Sequence, residues 1–135
     1  MTETRPRYRV KRQPQTAAEA RHQEFLEMSE AELQSRAQEL AALFGWRCHA
    51  ENPARTGRTY IGSDGELREA WTTPAQGDTG FPDLVLARGG VVLFRECKSL
   101  HGKVTGNQAQ WLEATGGTVW RPQDLESGAI EEELR

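Results

Sequence analysis

The stretch Phe81–Leu100, FPDLVLARGGVVLFRECKSL, decides the fold because it has the pattern of a β-hairpin. Two short apolar runs flank Gly89-Gly90, and a two-residue hairpin loop of type I′ requires a positive φ at both central positions, which glycine adopts readily. The outer parts of the two arms nevertheless carry three charged residues, Asp83, Glu96 and Lys98. The predicted hairpin therefore raises the question of what these charges do there.

The glycine turn also predicts the register of the hairpin. Counting outward from the turn, with no bulge in either arm, places Val85 opposite Phe94 and Asp83 opposite Glu96. Directly opposed residues have Cβ atoms roughly 4.5 to 5.5 Å apart. Because side chains alternate along a strand, Glu96 and Lys98 share the face of Phe94, and Lys98 lies on the diagonal from Asp83. The register thus predicts a cluster of two carboxylates and one lysine.

Two carboxylates that face each other repel, so something must offset their charge. A hard divalent cation would do so, since Mg²⁺ is typically held by one or two carboxylates with water and phosphate oxygens. Lys98 would then position a water molecule or neutralise developing charge. The alternative is a solvated surface on which Asp83 caps a strand, but the apolar neighbours Val85 and Phe94 disfavour a fully exposed face.

The segment before the hairpin predicts a helix, a short strand and a long irregular connection. Ser29 is a good N-cap for a helix that Gly45 ends, whereas it is open whether residues 17–28 form a separate helix. Residues 46–49 would make a first strand. Residues 50–80, rich in Gly and Pro, predict a loop that faces nucleic acid through basic and aromatic side chains; in the alternative, SDGE at 63–66 turns a small hairpin.

The segment after the hairpin predicts helix, strand and helix. Thr105 and Gln108 have the spacing of a capping box, and the helix that they begin would stop at Gly116. Residues 118–120 form a strand, and Asp124 would cap a last short helix. The predicted fold class is α/β, with a small mixed β-sheet flanked by helices.

Composition and charge narrow the function classes. The 135-residue chain has a net charge of −3 and no apolar run or leader that would indicate a membrane span or a signal peptide. Its two isolated cysteines lack zinc-site spacing and suit a reducing compartment, so a cytoplasmic protein is expected. Basic residues concentrate at 5–12, which predicts a disordered basic arm over 1–16 and a single domain over 17–135.

Four motifs occur in order along the chain: Gly-x-Pro-Asp at 80–83, Glu-x-Lys at 96–98, Gln-x-x-Trp at 108–111 and Trp-Arg-Pro at 120–122. This set resembles the PD-(D/E)XK nuclease superfamily, and in particular its VRR-NUC branch of small bacteriophage-type members. The resemblance covers roughly 29–124. It implies a restriction-endonuclease-like core for the domain at 17–135, with Asp83, Glu96 and Lys98 in a metal-dependent phosphodiesterase site.

The resemblance also implies roles for further residues. The family places a Glu on its first helix, followed four residues later by Gln, which Glu30 and Gln34 match; Glu32 competes with Glu30 for this role. Gln108 matches a site-lining Gln, although the capping box is an equally good use for it. The backbone carbonyl of Cys97, in the middle of Glu-x-Lys, would be a metal ligand beside Asp83, Glu96 and Glu30.

The expected function is therefore an Mg²⁺-dependent endonuclease, with Mn²⁺ as a substitute, that cleaves DNA of branched, flapped or Holliday-junction structure. Gln34, Arg55, Arg58 and Lys103 would contact the DNA. A homodimer is expected if the chain resolves junctions, and a phage protein would act in the host cytoplasm. Two alternatives stay open: a DNA-binding module of the same fold that cleaves poorly, and an RNA-processing nuclease.

Overall fold

The computed structural model describes residues 13, 16–50, 54–72 and 77–135, without the side chains of 54–58 and 69–72. The predicted basic arm over 1–16 thus lies outside the described residues, apart from 13 and 16. The elements of the described part follow in chain order: α1 (Ala17–Leu26), α2 (Glu30–Leu43), β1 (Arg47–Ala50), β2 (Ala54–Ile61), β3 (Leu67–Thr72), β4 (Leu84–Arg88), β5 (Val91–Cys97), α3 (Gly106–Thr115), β6 (Thr118–Trp120), α4 (Pro122–Glu126) and α5 (Ala129–Leu134).

The described part contains a mixed four-stranded sheet in the order β1-β4-β5-β6. The central hairpin is antiparallel, with Val85 opposite Phe94 and Arg88 opposite Val91, so the register that the glycine turn predicted is confirmed. Strand β1 adds antiparallel to β4, and β6 adds parallel to β5. A parallel neighbour requires a crossover, and α3 supplies it. The predicted small mixed sheet flanked by helices is confirmed.

The first part of the chain forms two helices, which settles the question left open by the sequence. The Ser29 side chain accepts a hydrogen bond from the Glu32 amide and caps α2, as predicted. Gly45 has a φ of +77°, the left-handed conformation of a glycine that ends a helix. Leu33, Ala37 and Ala41 are fully buried, so α2 presents an apolar stripe to the core.

The second hairpin lies within the segment for which a loop and a hairpin were both considered. Strands β2 and β3 pair antiparallel with Tyr60 opposite Arg68 and Ile61 opposite Leu67, so the hairpin alternative is correct. The Gly62 amide closes the turn on the Glu66 carbonyl at 2.9 Å. The loop prediction failed because the glycines that suggested irregular backbone are accommodated at a tight turn and at an irregularity between 55 and 59.

Helix α4 begins before the position that the sequence indicated. The prediction that Asp124 is the N-cap of the last helix is wrong: α4 begins at Pro122, and Asp124 lies at its third position, where its carboxylate accepts the Arg121 amide at 2.8 Å. Proline suits the first helical position because its missing N–H has no intrahelical partner there. A second short helix, α5, follows through Gly128 in a left-handed conformation.

The hydrophobic core lies on the face of the sheet to which Leu84, Leu86 and Cys97 point. Helices α1, α2 and α5 cover this face with buried side chains, whereas α3 packs on the opposite face, where Phe81 contacts the rings of Phe94 and Trp111. The sheet is therefore sandwiched between helices, and Glu96, next to Cys97 in β5, points toward the α3 side. Within the described ranges, no helix is long and apolar enough to cross a membrane.

Arginine and tryptophan side chains fix α5 to the rest of the core. Arg88 donates to the carbonyls of Phe44 and Leu134, each at 2.9 Å, and its guanidinium lies 4.4 Å from the centre of the Trp46 ring. The Trp46 indole also donates to the Leu134 carbonyl. Because terminal helix carbonyls lack intrahelical partners, these contacts satisfy the ends of both α2 and α5.

Candidate active site

The two opposed carboxylates lie at the end of the central hairpin farthest from its turn. Asp83 directly precedes β4, and its amide donates to Glu96 Oε2 at 3.2 Å. In return, the Cys97 amide donates to Asp83 Oδ2 at 2.9 Å. The continuation of the strand register past Leu84 thus brings the two acidic side chains together through reciprocal contacts with the backbone of the other arm.

Glu96 is the most deeply buried acidic side chain of the pair, with 2% of its surface exposed. The pKa of Glu96 is raised from 4.5 to about 7. Burial is the largest cause, the Asp83 charge and a hydrogen bond between the two carboxyl groups add to it, and the neighbouring Lys98 and the Asp83 amide oppose it. The raised pKa means that negative charge on this pair is costly at neutral pH. The site has the electrostatics of a place that attracts positive charge.

Lys98, the residue after β5, lies near both Glu96 and Glu30. Its amino group lies 3.6 Å from Glu96 Oε1 and 4.0 Å from Glu30 Oε1, and the residue is only 6% exposed. Burying a lysine requires compensation by hydrogen bonds or charge, which the carboxylates supply. The amino group is thus held between two carboxylates.

Gln108 performs both of the tasks that the sequence suggested for it. Its Oε1 accepts the Thr105 amide at 3.0 Å, which completes the capping box of α3 together with the Thr105 hydroxyl. Its Nε2 donates to Glu96 Oε1 at 2.8 Å. One side chain therefore fixes the start of α3 and orients the buried carboxylate.

A glycine allows α3 to approach the acidic pair so closely. Gly80 has a φ of +91°, and a Cβ at this position would lie 2.7 to 2.8 Å from atoms of Asn107 and Gln108. Any side chain would therefore push the start of α3 outward and would also strain the backbone. The Gly-x-Pro-Asp segment thus brings α3 and Asp83 to the same place.

Helix α2 places Glu30, and not Glu32, near Lys98. Glu30 begins α2 and reaches toward Lys98, whereas Glu32 lines a separate depression with Glu24 and Arg36. Gln34 follows one helical turn after Glu30 and is half-buried. The structure places Glu30 at the open side of the cluster, with about half of its side chain exposed.

Cys97 contributes to the cluster through its backbone. Its side chain is fully buried in the core on the opposite face, and burial together with the nearby Asp83 and Glu96 charges raises the pKa of its thiol. The thiol is therefore a core side chain, whereas the Cys97 amide holds Asp83 in place.

Sequence reasoning gave no role to the side chain of Arg121, which contacts the turn after Lys98. Its guanidinium donates to the Ser99 and Gly102 carbonyls, each at 2.8 Å. The Trp-Arg-Pro motif was a signal for this residue, but a contact across 19 to 22 positions of sequence is not visible in a local pattern.

The predicted DNA-contacting residues belong to three different parts of the chain: helix α2, strand β2 and the loop before α3. Lys103 is exposed in the loop before α3. Arg55 and Arg58 belong to β2, but their side chains lie outside the described part of the chain. Their predicted contacts with DNA stay predictions.

Comparison of the chain with family models, curated proteins and solved structures found no match. The candidate site therefore depends on its own geometry. Over the residues described here, no group of three or more His, Cys, Asp and Glu side chains is arranged to hold a metal ion. The acidic pair, with a lysine and a glutamine in contact with Glu96, is the arrangement from which a function has to be argued.

Proposed function

We propose that the chain is a metal-dependent nuclease that hydrolyses phosphodiester bonds of DNA, with a core of the PD-(D/E)XK type. The observation that carries this proposal is the contact between Asp83 and Glu96, with the Lys98 amino group 3.6 Å from Glu96. A purely structural role would favour pairing each acid with its own cation, whereas here Lys98 lies near both Glu96 and Glu30.

The donor set fits Mg²⁺ or Mn²⁺. Mg²⁺ prefers hard oxygen ligands and keeps several waters, so two carboxylates and a backbone carbonyl such as that of Cys97 are sufficient protein ligands. Glu96 is buried and its pKa is raised to about 7, so a divalent cation would relieve the repulsion that the proton relieves otherwise. Glu30, at the exposed rim, would add a ligand directly or through water.

The residues of the cluster would have separate roles in the proposed reaction. When bound, the cation would polarise the scissile phosphate and lower the pKa of water. Asp83 and Glu96 would hold it, while Gln108 keeps the Glu96 carboxylate in one orientation. Lys98 would stabilise the negative charge that develops on the phosphate or orient the attacking water, because its amino group is already fixed on the cluster.

The substrate is proposed to be DNA with a branch, a flap or a Holliday junction, bound through Gln34, Arg55, Arg58 and Lys103. Paired cleavage of a junction requires two active sites, so we propose a homodimer for that case. The runner-up function is a DNA-binding module that cleaves poorly. The contact of Lys98 with Glu96 favours the enzyme, because binding alone does not require a buried lysine beside two acids.

The proposal is tested by incubating the full chain with a four-way junction, a flap and a linear duplex, each in Mg²⁺ and in EDTA. The expected result is strand cleavage in Mg²⁺ that EDTA abolishes and that Asp83→Asn lacks. Tight binding of DNA with no cleavage in either Mg²⁺ or Mn²⁺ would contradict the nuclease and support the binding module. The same assay with single-stranded and structured RNA addresses the RNA-processing alternative.

A further inference from the structure

The turn that follows Lys98 is bound at both ends by one arginine from another part of the chain. The Gly102 amide closes the turn on the Ser99 carbonyl at 3.2 Å. Nη1 of Arg121 donates to the same Ser99 carbonyl and to the Gly102 carbonyl, each at 2.8 Å. A single guanidinium nitrogen thus bridges the first and last residues of the turn.

Arg121 is itself held firmly at its backbone. Its amide donates to the Asp124 carboxylate at 2.8 Å, and the next residue is the fully buried Pro122. The residue before it, Trp120, accepts the Lys98 amide on its carbonyl at 3.0 Å. The Trp120–Arg121 pair is therefore connected to the end of β5 twice. The Trp120 carbonyl binds the Lys98 amide, and the Arg121 side chain binds the turn that begins at Ser99.

The turn also packs against the third carboxylate of the cluster. A Cβ at Gly102 would lie 3.1 Å from Glu30 Oε1 and 3.0 Å from Ser99 Oγ, so the turn and the Glu30 carboxylate are in close contact. Glu30 Oε1 in turn lies 4.0 Å from the Lys98 amino group. Any displacement of the turn would therefore move Lys98 at one end and disturb Glu30 at the other.

We infer that Arg121 is a positioning residue of the proposed nuclease, which acts by fixing the Ser99–Gly102 turn and, through it, Lys98 and Glu30. This inference rests on the proposed function. The Arg121 Nη1 donates to the Ser99 and Gly102 carbonyls, so the side chain acts on the turn and not on the carboxylates directly. Loss of the guanidinium would lower the rate of the chemical step, because displacements of about 1 Å at an active site cost up to about 10²-fold in rate.

The test compares wild type with Arg121→Ala, Arg121→Lys and the control Arg36→Ala, which removes an arginine of an exposed pair with Glu24. We expect Arg121→Ala to lower kcat for DNA cleavage about 10- to 100-fold with KM within about twofold of wild type. Arg121→Lys should recover part of the loss, because an ammonium can donate to both carbonyls. The control should be unchanged. A rise in KM with unchanged kcat, or a salt dependence of binding that is weaker by about one phosphate contact, would show that Arg121 binds DNA and would overturn the inference.

Amide hydrogen exchange provides a readout that does not depend on activity. In Arg121→Ala the Gly102 amide should exchange at least about tenfold faster, whereas the Gly65 amide, which closes a comparable turn in the other hairpin, should not change. Unaltered exchange at Gly102 would overturn the inference even in an active enzyme. If wild type fails to cleave any substrate, the proposed function fails, and the exchange result still decides whether Arg121 fixes the turn. If Arg121→Ala does not fold, the same measurements are made on Arg121→Lys and Arg121→Gln.

Discussion

The two faces of β5 both carry buried charge, but they use it differently. On the core face, Arg95 is 6% exposed and forms an ion pair with Glu133, which also accepts the Trp120 indole N–H at 3.2 Å. On the other face, Glu96 is 2% exposed and meets a second acid, Asp83, with one lysine between that pair and Glu30.

The two faces differ in how their buried charge is balanced. The Arg95 pair is balanced within the protein and connects β5, β6 and α5, so it stabilises the fold. The Glu96 cluster contains three acids and one lysine, and burial together with the Asp83 charge raises the Glu96 pKa. Under the proposed function, an external cation would complete the cluster.

Substitution of Lys98 should give the largest loss of DNA cleavage and should act on the Glu96 face of β5. Lys98→Met is expected to lower kcat for DNA cleavage by about 10²- to 10³-fold, as removal of a charge-stabilising donor does. Thermal stability should also fall, because the buried Glu96 loses its neighbouring positive charge, so cleavage is measured well below the melting temperature of the variant. The measurement is single-turnover cleavage in Mg²⁺. Cleavage within about threefold of wild type would place Lys98 outside the chemistry.

Substitution of Glu133 should affect the other face. Glu133→Gln leaves the buried Arg95 without its counter-charge and should lower the free energy of unfolding by about 2 kcal/mol, less than the 3–5 kcal/mol typical of a fully buried pair because Glu133 is partly exposed. Urea unfolding measures this change, and the refolded variant should keep its kcat. The matched control is Glu131→Gln, which loses an exposed pair with Arg135 and should cost less than about 0.5 kcal/mol. Equal losses in the two variants would mean that Arg95 needs no partner.

The pH dependence of stability should report the burial of Glu96 beside Asp83. The pKa of Glu96 is about 7 in the folded chain and 4.5 in the unfolded chain, so between these values the folded state binds more protons. The contribution of Glu96 to the free energy of unfolding is therefore present below about pH 4.5 and is lost as the pH rises through 7, by up to about 3 kcal/mol. Urea unfolding in EDTA at about pH 5 and about pH 7.5 measures it. Glu96→Gln should remove most of the pH-dependent loss, and a loss as large in this variant as in wild type would assign the effect to other groups.

Much of the central hairpin could be predicted from the sequence, because the signals are local. Gly89-Gly90 determines the turn, the turn determines the register, and the register brings Asp83 and Glu96 together. The capping box of Thr105 and Gln108 is a local signal too. Gln108 forms it and also donates a hydrogen bond to Glu96.

The rest depends on contacts between elements that are distant in sequence. Arg95 belongs to the face of Leu93 and Cys97 by alternation, but no local pattern pairs it with Glu133, 38 residues later. The contact of Arg121 with the turn after Lys98 has the same character. The Gly- and Pro-rich segment before β4 gave two local interpretations, and only strand pairing decided between them.

Substitutions at Thr105 and Gln108 should have smaller effects than those above. They separate the capping of α3 from the orientation of the Glu96 carboxylate. Gln108→Glu keeps an acceptor for the Thr105 amide but places a further carboxylate beside Glu96, so the Glu96 pKa should rise further. Thr105→Ala loses a helix cap, should cost about 1 kcal/mol and should leave the Glu96 pKa unchanged. Carboxyl chemical shifts of Glu96 against pH measure both variants. A Glu96 pKa that does not rise in Gln108→Glu would contradict the contact with Gln108.

The most direct test of the central claim, that the Glu96 face is completed by a divalent cation, is calorimetric titration of the metal-free chain with Mn²⁺ near pH 7.5. We predict saturable binding to wild type that is lost in both Asp83→Asn and Glu96→Gln and kept in Glu133→Gln, because only the first two change the unbalanced face. Absence of binding to wild type, or binding that persists in Asp83→Asn and Glu96→Gln, would contradict the claim that these carboxylates form a metal site.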